Sequence, residues 1–370
     1  MRTHRIAVPV VFAFASALVS TSAQAAAASP ALCGQPAGVT VDADQVQPPP
    51  PPPEPPRPPR PPRPPRSASV DAAEKEQVSR TFKVTEGATF VLSNLSGDIS
   101  VKVAPGSEIK VDATKYVHAG RDATDAKEQL ANMKIEFEER GNRVDVRAFP
   151  TSRNRHVRVS VDFAVSVPAS ASVELRSVSG DVSVADVKGE VTVEAVSGDI
   201  TASNLARPAS IKTVSGDVAL SNSTTDNRLG VNSVSGDVVL KMVKARTLEA
   251  GSVSGNIKWV DGGCERGTFS SVSGDIDVAA ALAKGGRYVL KTHSGDVRLA
   301  LDGKIGFALE ASTFSGNVKA DFPITLKGLG EEGEREWGPR HKNATGVYGD
   351  GSATVELTSF SGNVVLVKKP

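Results

Sequence analysis

Carboxylates at a fixed interval are the residues of this chain best placed to do chemistry. Asp181, Asp199, Asp217, Asp237, Asp275 and Asp296 each follow a Ser-Gly pair, and Asn256, Asn317 and Asn363 take the same place in three further copies. If the copies stack like neighbouring strands, the carboxylates lie about 4.8 Å apart. Like charges at that distance repel by on the order of 1 kcal/mol per pair even in water. Either each carboxylate caps main-chain N–H groups beside it, or a cation such as Ca²⁺ shares the row. Calcium-binding β-rolls carry Gly and Asp more densely, in nine-residue units, and Asn caps without charge. Capping is therefore the preferred reading, and neither a metal nor another cofactor is expected.

A second group comes from an interruption of the repeat at 321–350, where Arg335, Trp337, Arg340, His341 and Tyr348 sit close together in sequence. A long loop inside a regular repeat is a frequent place for binding, so these five are the candidate binding residues. Catalytic residues are not expected. The chain has no Ser–His–Asp, metal-ligand or phosphate-loop spacing. His293 interrupts a column of valines at a corner, where a structural role is preferred.

The elements that position these groups follow from the repeat. SVSGDV at 177–182 returns as AVSGDI, TVSGDV, SVSGDV, SVSGNI, SVSGDI, THSGDV, TFSGNV and SFSGNV, mostly about twenty residues apart. Three residues after the motif serine stand Val182, Ile200, Val218, Val238, Ile257, Ile276, Val297, Val318 and Val364, all β-branched. Such residues suit a strand and suit stacking on their own copies. Apolar and polar residues alternate on both sides of the motif, as in half-buried strands. The apolar residue just before the serine, Val178 and its equivalents, has the parity of the downstream strand, so the inward phase slips by one at a corner. The glycines Gly180, Gly198, Gly216, Gly236, Gly274 and Gly295 and the aspartates after them are thus turn residues. Looser second corners are expected at Asp186–Gly189 and Ser221–Asn227.

Composition bounds the partners. The 370 residues carry a net charge of +1 and only 5% aromatics, which argues against nucleic acid and against extensive stacking of sugars. Arg2, His4 and Arg5, the apolar run Ile6–Val19 and Ala23-Gln24-Ala25 read as an export signal. No other segment is long and apolar enough to span a bilayer. Leu32 before Cys33 is a poor lipidation site. Cys33 and Cys264 are the only cysteines, and an oxidising compartment would permit but not compel their pairing.

Residues 47–66 read QPPPPPPEPPRPPRPPRPPR. Proline at this density favours polyproline II, which over this stretch spans roughly 60 Å. Arg57, Arg60, Arg63 and Arg66 then form a ridge along one face. A stiff spacer is the preferred reading; the sharper one is an electrostatic anchor to anionic lipid, lipopolysaccharide or wall polymer.

The repeated [ST]-V-S-G-[DN]-[VI] motif with its flanking alternation resembles the bacterial putative-adhesin family of unknown function, an often exported group with S-G-D β-strand repeats. The likeness covers about residues 81–370, from Leu95-Ser96-Gly97-Asp98-Ile99 to Thr354–Leu366. It implies a β-helix at the cell envelope and an adhesive role.

The expected fold is all-β: a single-stranded right-handed β-helix or β-solenoid of about nine to ten short rungs. Strands are expected at Glu108–Val117, Lys134–Glu139, Arg143–Phe149 and Val157–Val167. One short helix is expected at Asp122–Met133, with Ala126, Leu130 and Met133 facing the core. The organisation is a signal at 1–25, a disordered linker with the Pro/Arg arm at 26–67, a capping part at 68–168, and solenoid repeats at 169–370 with a loop insertion at 321–350. The expected function is a non-enzymatic envelope adhesin or scaffold in the periplasm or on the surface. A signalling or envelope-stress module would look the same in sequence, and a polysaccharide-active enzyme is the less favoured third reading, since few aromatics and one long loop leave little to build a cleft.

Overall fold

In the computed structural model the described residues are 75–117, 123–151, 159–326 and 343–369. Their 25 strands belong to one hydrogen-bonded sheet. The unit is strand, corner, strand, and successive units stack in parallel. Before the corner, Leu175, Val193, Ile211, Val231, Ala250, Phe269 and Leu290 face one another in register. After it, Val182, Ile200, Val218, Val238, Ile257, Ile276 and Val297 do the same. Both columns are buried and form the core. Stacking like on like keeps every copy in the same pocket shape, so the period-two pattern becomes a continuous apolar interior.

The second corner is tighter than the sequence suggests. Asp186, Asn204, Asn222, Met242 and Asp261 hold φ between 48° and 66°, at the same place in successive copies. Asn and Asp tolerate this left-handed geometry better than other non-glycine residues. The next residue turns inward, and Val187, Leu205, Ser223 and Val243 are buried there. The corner near Ser221 therefore ends by Ser223, and Asn227 lies inside the strand Thr224–Asn232, where the pairing shifts register between Thr225 and Arg228.

The motif glycine is required by contact as well as conformation. A Cβ on Gly216 (φ +146°) would lie 2.1 Å from the Gly198 carbonyl oxygen, and one on Gly236 (φ +154°) 2.0 Å from that of Gly216. The same collision recurs along the row. It begins at Gly97, whose Cβ would meet the Val161 oxygen at 2.4 Å. Val161 holds the glycine position in a degenerate copy, Ser160-Val161-Asp162-Phe163, whose Phe163 pairs with Ile99.

The stacking order departs from chain order at both ends, which a simple sequential coil does not predict. Thr89–Ser96 lies between Arg143–Pro150 and Ser172–Ser179. Ala353–Ser361 lies between Ile276–Ser294 and Phe307–Ser315. The first and last motif copies are thus each one layer in, and the chain loops outward to lay a covering layer over them. Antiparallel strands then close the outside: Lys75–Lys83 on Glu108–Val117, itself on Val159–Val167, and Asn343–Tyr348 on Phe307–Ser315.

The helix spans Ala123–Asn132 and buries Leu130; Met133 is also buried but begins the strand Met133–Arg140. The interruption at 321–350 is only partly a loop, because Thr325–Leu326 and Asn343–Tyr348 pair antiparallel within the cap. No helix among the described residues is long and apolar enough to cross a membrane.

Glycine replacement distinguishes contact from conformation. Gly236→Ala should cost more than about 3 kcal/mol, or abolish folding, because a carbonyl of the neighbouring copy must move. Gly87→Ala, at φ +75° with nothing within 4 Å of the new methyl, should cost about 1 kcal/mol. Met242 has the least suitable side chain of its row, and Met242→Asn should add about 0.5–1 kcal/mol. Urea unfolding midpoints check all three; equal losses for the two glycines would refute the contact argument.

Candidate functional site

The carboxylate row is a hydrogen-bonded ladder. The main-chain N–H of Asp181 donates to Oδ1 of Asp98 at 2.9 Å, that of Asp199 to Asp181 at 2.9 Å and that of Asp217 to Asp199 at 2.8 Å. The series continues through Asp237, Asn256, Asp275, Asp296, Asn363 and Asn317. It opens with Asp98 donating to Asp162. These residues therefore cap main-chain amides, but the amide capped belongs to the next copy in the stack and not to the same turn. One oxygen of each carboxylate is used this way. Among the described residues no lysine or arginine forms a salt bridge with the row, and no group of three His, Cys, Asp or Glu side chains is placed to hold a metal ion.

A second row lies inside the corner. The small residue two before the motif serine donates its hydroxyl to the motif glycine carbonyl of the preceding copy: Ser233 to Gly216 at 3.1 Å, Ser252 to Gly236 at 3.1 Å, Thr292 to Gly274 at 3.0 Å and Ser359 to Gly295 at 2.9 Å. This explains why a buried position accepts Ser and Thr. Ala195 takes this place in one copy and has no hydroxyl, and in another Ser177 has an Oγ without a partner. The carbonyl that would serve it, on Gly97, already accepts the Asn94 amide at 3.0 Å.

The residue just before the motif serine points outward. The phase slip does occur at this corner, with Ser177 and Val182 as consecutive inward residues, but Val178 between them is outside the core. Leu95, Val178, Val196, Val214, Val234, Val253, Val272, Phe360 and Phe314 are 37–63% exposed. His293 completes the column in stacking order, between Val272 and Phe360. Its imidazole stacks on the Phe360 ring at 4.7 Å and 10°, and Phe360 on Phe314 at 4.8 Å and 4°. Ten layers at the usual strand spacing make a stripe about 43 Å long. Single exposed apolar side chains need no explanation, whereas a contiguous line of them marks a contact surface. The signal was present only in part: nine of these ten residues are apolar, but they share the parity of the downstream strand, so sequence alone does not separate them from its buried positions.

Of the five residues singled out at 335–348, Tyr348 alone is described. It sits at the cap against Phe307 and Phe322, with ring centroids 5.3 and 4.9 Å away, and lines a groove of about 390 Å³ with Lys284, Asp350 and Ser352. Arg335, Trp337, Arg340 and His341 lie outside the described residues, as do Arg57, Arg60, Arg63, Arg66 and Cys33. Cys264 is buried, and desolvation pushes its thiol up to about 12. The Tyr288 hydroxyl donates to the Cys264 carbonyl at 2.5 Å and accepts from the Ala283 N–H at 2.7 Å.

Two outcomes follow. Asp199→Asn keeps an oxygen for the Asp217 amide and removes a charge between two others, so stability should stay level or rise by up to about 1 kcal/mol. Asp199→Ala orphans that amide and should cost about 1 kcal/mol. Urea titration of both checks the ladder, and identical behaviour would show that the cap has no weight. Cys264 should react with Ellman's reagent at pH 8 only as fast as the protein unfolds, because thiolate is the reacting form; rapid labelling of the native Cys264 would contradict its burial.

No curated protein matches this chain in sequence. Among solved structures, a putative adhesin of Bacteroides fragilis is 14% identical, with 80% of this chain and 99% of that one covered at a TM-score of 0.39. A putative lipid binding protein of Parabacteroides distasonis is 12% identical over 78% of this chain and 96% of that one, TM-score 0.41. A putative cell adhesion protein of Clostridium sporogenes is 10% identical over 80% and 100%, TM-score 0.23. A family model matches residues 89–366, nearly the whole of the paired body, and the chain belongs to the Toastrack DUF4097 family.

Proposed function

We propose that this protein is an exported, non-enzymatic envelope protein whose stacked body presents a binding surface, as an adhesin or scaffold. The observation that carries this reading is the exposed apolar column from Leu95 to Phe314. Exposed apolar lines cost solubility and are retained where they meet a partner. In this reading residues 1–25 are a removed signal, 26–67 a linker with a Pro/Arg arm, 68–168 a capping part, and 169–370 a right-handed solenoid body bearing the 321–350 insertion. No reaction is assigned to the motif serines and aspartates. The neighbours described as adhesins agree with the reading without adding weight to it.

Co-sedimentation with isolated outer membranes and with peptidoglycan sacculi tests the proposal. The full mature chain should pellet with one of these, and a variant with Val214, Val234 and Val253 replaced by threonine should lose at least tenfold in bound fraction. Threonine keeps the β-branched shape, so circular dichroism and the melting midpoint should barely change. Undiminished binding by the threonine variant would remove the stripe from the function.

A further inference from the structure

The apolar stripe does not stand alone. Three residues further around the same corner runs the carboxylate ladder, at most about 10 Å of chain away. In stacking order it reads Asp162, Asp98, Asp181, Asp199, Asp217, Asp237, Asn256, Asp275, Asp296, Asn363, Asn317. Each Oδ1 caps an amide, which leaves the second oxygen of each carboxylate to an outside donor. The surface is therefore a line of apolar contacts beside a line of negative charges, both with a step of about 4.8 Å.

That pairing selects a partner. Anionic lipid or polymer would be repelled by the ladder. A second copy laid stripe on stripe would bring no cation to the ladder, and in one of its two orientations would set a second row of carboxylates against the first. What fits is an extended ligand with an apolar side and a cationic side. Charges one layer apart would crowd, so the useful period is two layers, about 9.6 Å. A polyproline II helix advances about 3.1 Å per residue with three residues per turn, so side chains at every third position share one face about 9.3 Å apart. Four such charges drift from the ladder by only about 1 Å in total. The other faces of that helix are proline rings, which suit a line of valines.

We infer that the stripe and ladder together bind an extended proline-rich polypeptide with arginine at every third residue, prolines on the apolar column and guanidinium groups on alternate carboxylates. The inference rests on the binding-surface reading above and names its partner class. The register is defined as well. Asp98, Asp199, Asp237 and Asp275 are four successive alternate members of the ladder, all carboxylates, whereas the other phase, Asp162, Asp181, Asp217 and Asp296, is broken by Asn256 before its last member. Arginine donates two parallel hydrogen bonds to a carboxylate, which a lysine cannot. Residues 55–66 of this chain, PPRPPRPPRPPR, have the required composition; they lie outside the described residues and supply the sequence of the probe.

The test uses the full chain with Arg57, Arg60, Arg63 and Arg66 replaced by serine, so that only an added peptide carries the motif. A fluorescent PPRPPRPPRPPR peptide should bind saturably and weaken at least tenfold between 50 and 500 mM salt. A PPPR-repeat peptide, whose arginines rotate off one face, should bind at least tenfold more weakly. Replacing Asp98, Asp199, Asp237 and Asp275 by asparagine should cost at least tenfold, while replacing Asp162, Asp181, Asp217 and Asp296 should cost less than threefold; asparagine keeps every cap, so both sets fold. Equal losses for the two sets, equal binding of the two peptides, or no binding overturns the inference. So would self-association of the chain that disappears with the Val214, Val234 and Val253 threonine variant, since a second copy would then be the occupant. Envelope co-sedimentation of that variant separates the two claims: its loss without peptide binding keeps the stripe as a binding surface and discards this partner.

Discussion

One contact sets the geometry of the whole body: the approach of each motif glycine to the carbonyl of the glycine before it. With about 2 Å between the site of an absent Cβ and that oxygen, no side chain fits, and the corners of successive copies close to main-chain distance. Closure lets the amide after each glycine reach the carboxylate of its neighbour, and lets the small hydroxyl behind the corner reach the glycine carbonyl. The two hydrogen-bond rows and the in-register core columns therefore depend on the same missing atom. A repeat of this kind tolerates variation in the columns, where Ala250 and Phe269 occupy the same position in adjacent copies, but not at the glycine. Val161 confirms the rule from the other side. It occupies a glycine position with a side chain at the start of the row, where its own carbonyl faces Gly97 but no motif carbonyl lies before it.

Stacking of this type produces two exposed sheet ends, which invite pairing with other chains. The chain deals with both in the same way. Its first copy is inserted under Arg143–Pro150 and Val159–Val167, and its last copy under Phe307–Ser315. Antiparallel strands then lie outermost. The terminal copies are thus held from both sides, so neither can peel away without opening a covering layer. Fraying of an end, the usual weak point of a quasi-one-dimensional protein, is coupled to contacts far apart in sequence.

The regular part of this architecture was legible because it depends on local signals: a period of about twenty, a β-branched column and a glycine corner. The ends were not, because insertion of Ala353–Ser361 between Ile276–Ser294 and Phe307–Ser315 is a choice among equivalent motif copies, and nothing in one copy says which neighbour it takes. The left-handed second corner hid for a different reason. Met242 and the Asn and Asp residues share a backbone angle and no side-chain chemistry. The stripe was the more instructive miss. Parity grouped Val178 with the buried downstream valines, yet a corner that consumes the phase at Gly180 turns the residue before it outward. Capping by the aspartates was readable as chemistry, but its direction, from one layer to the next, required the stack.

The ladder and the stripe also constrain each other. An exposed line of valines and phenylalanines on a body of parallel-stacked strands would invite copies of the same chain to associate. The adjacent carboxylates oppose the orientation in which two stripes meet with their rows of like charge on the same side. Capping uses one oxygen of each aspartate, so the row can serve the fold and still present carboxylate to whatever approaches it. Asparagine serves the fold equally well, and Asn256 and Asn363, whose side-chain oxygens cap the next amide, show that it does. The aspartates elsewhere are therefore more than caps: their charge, which the hydrogen-bond ladder does not need, tells against like and anionic surfaces and admits cationic ones.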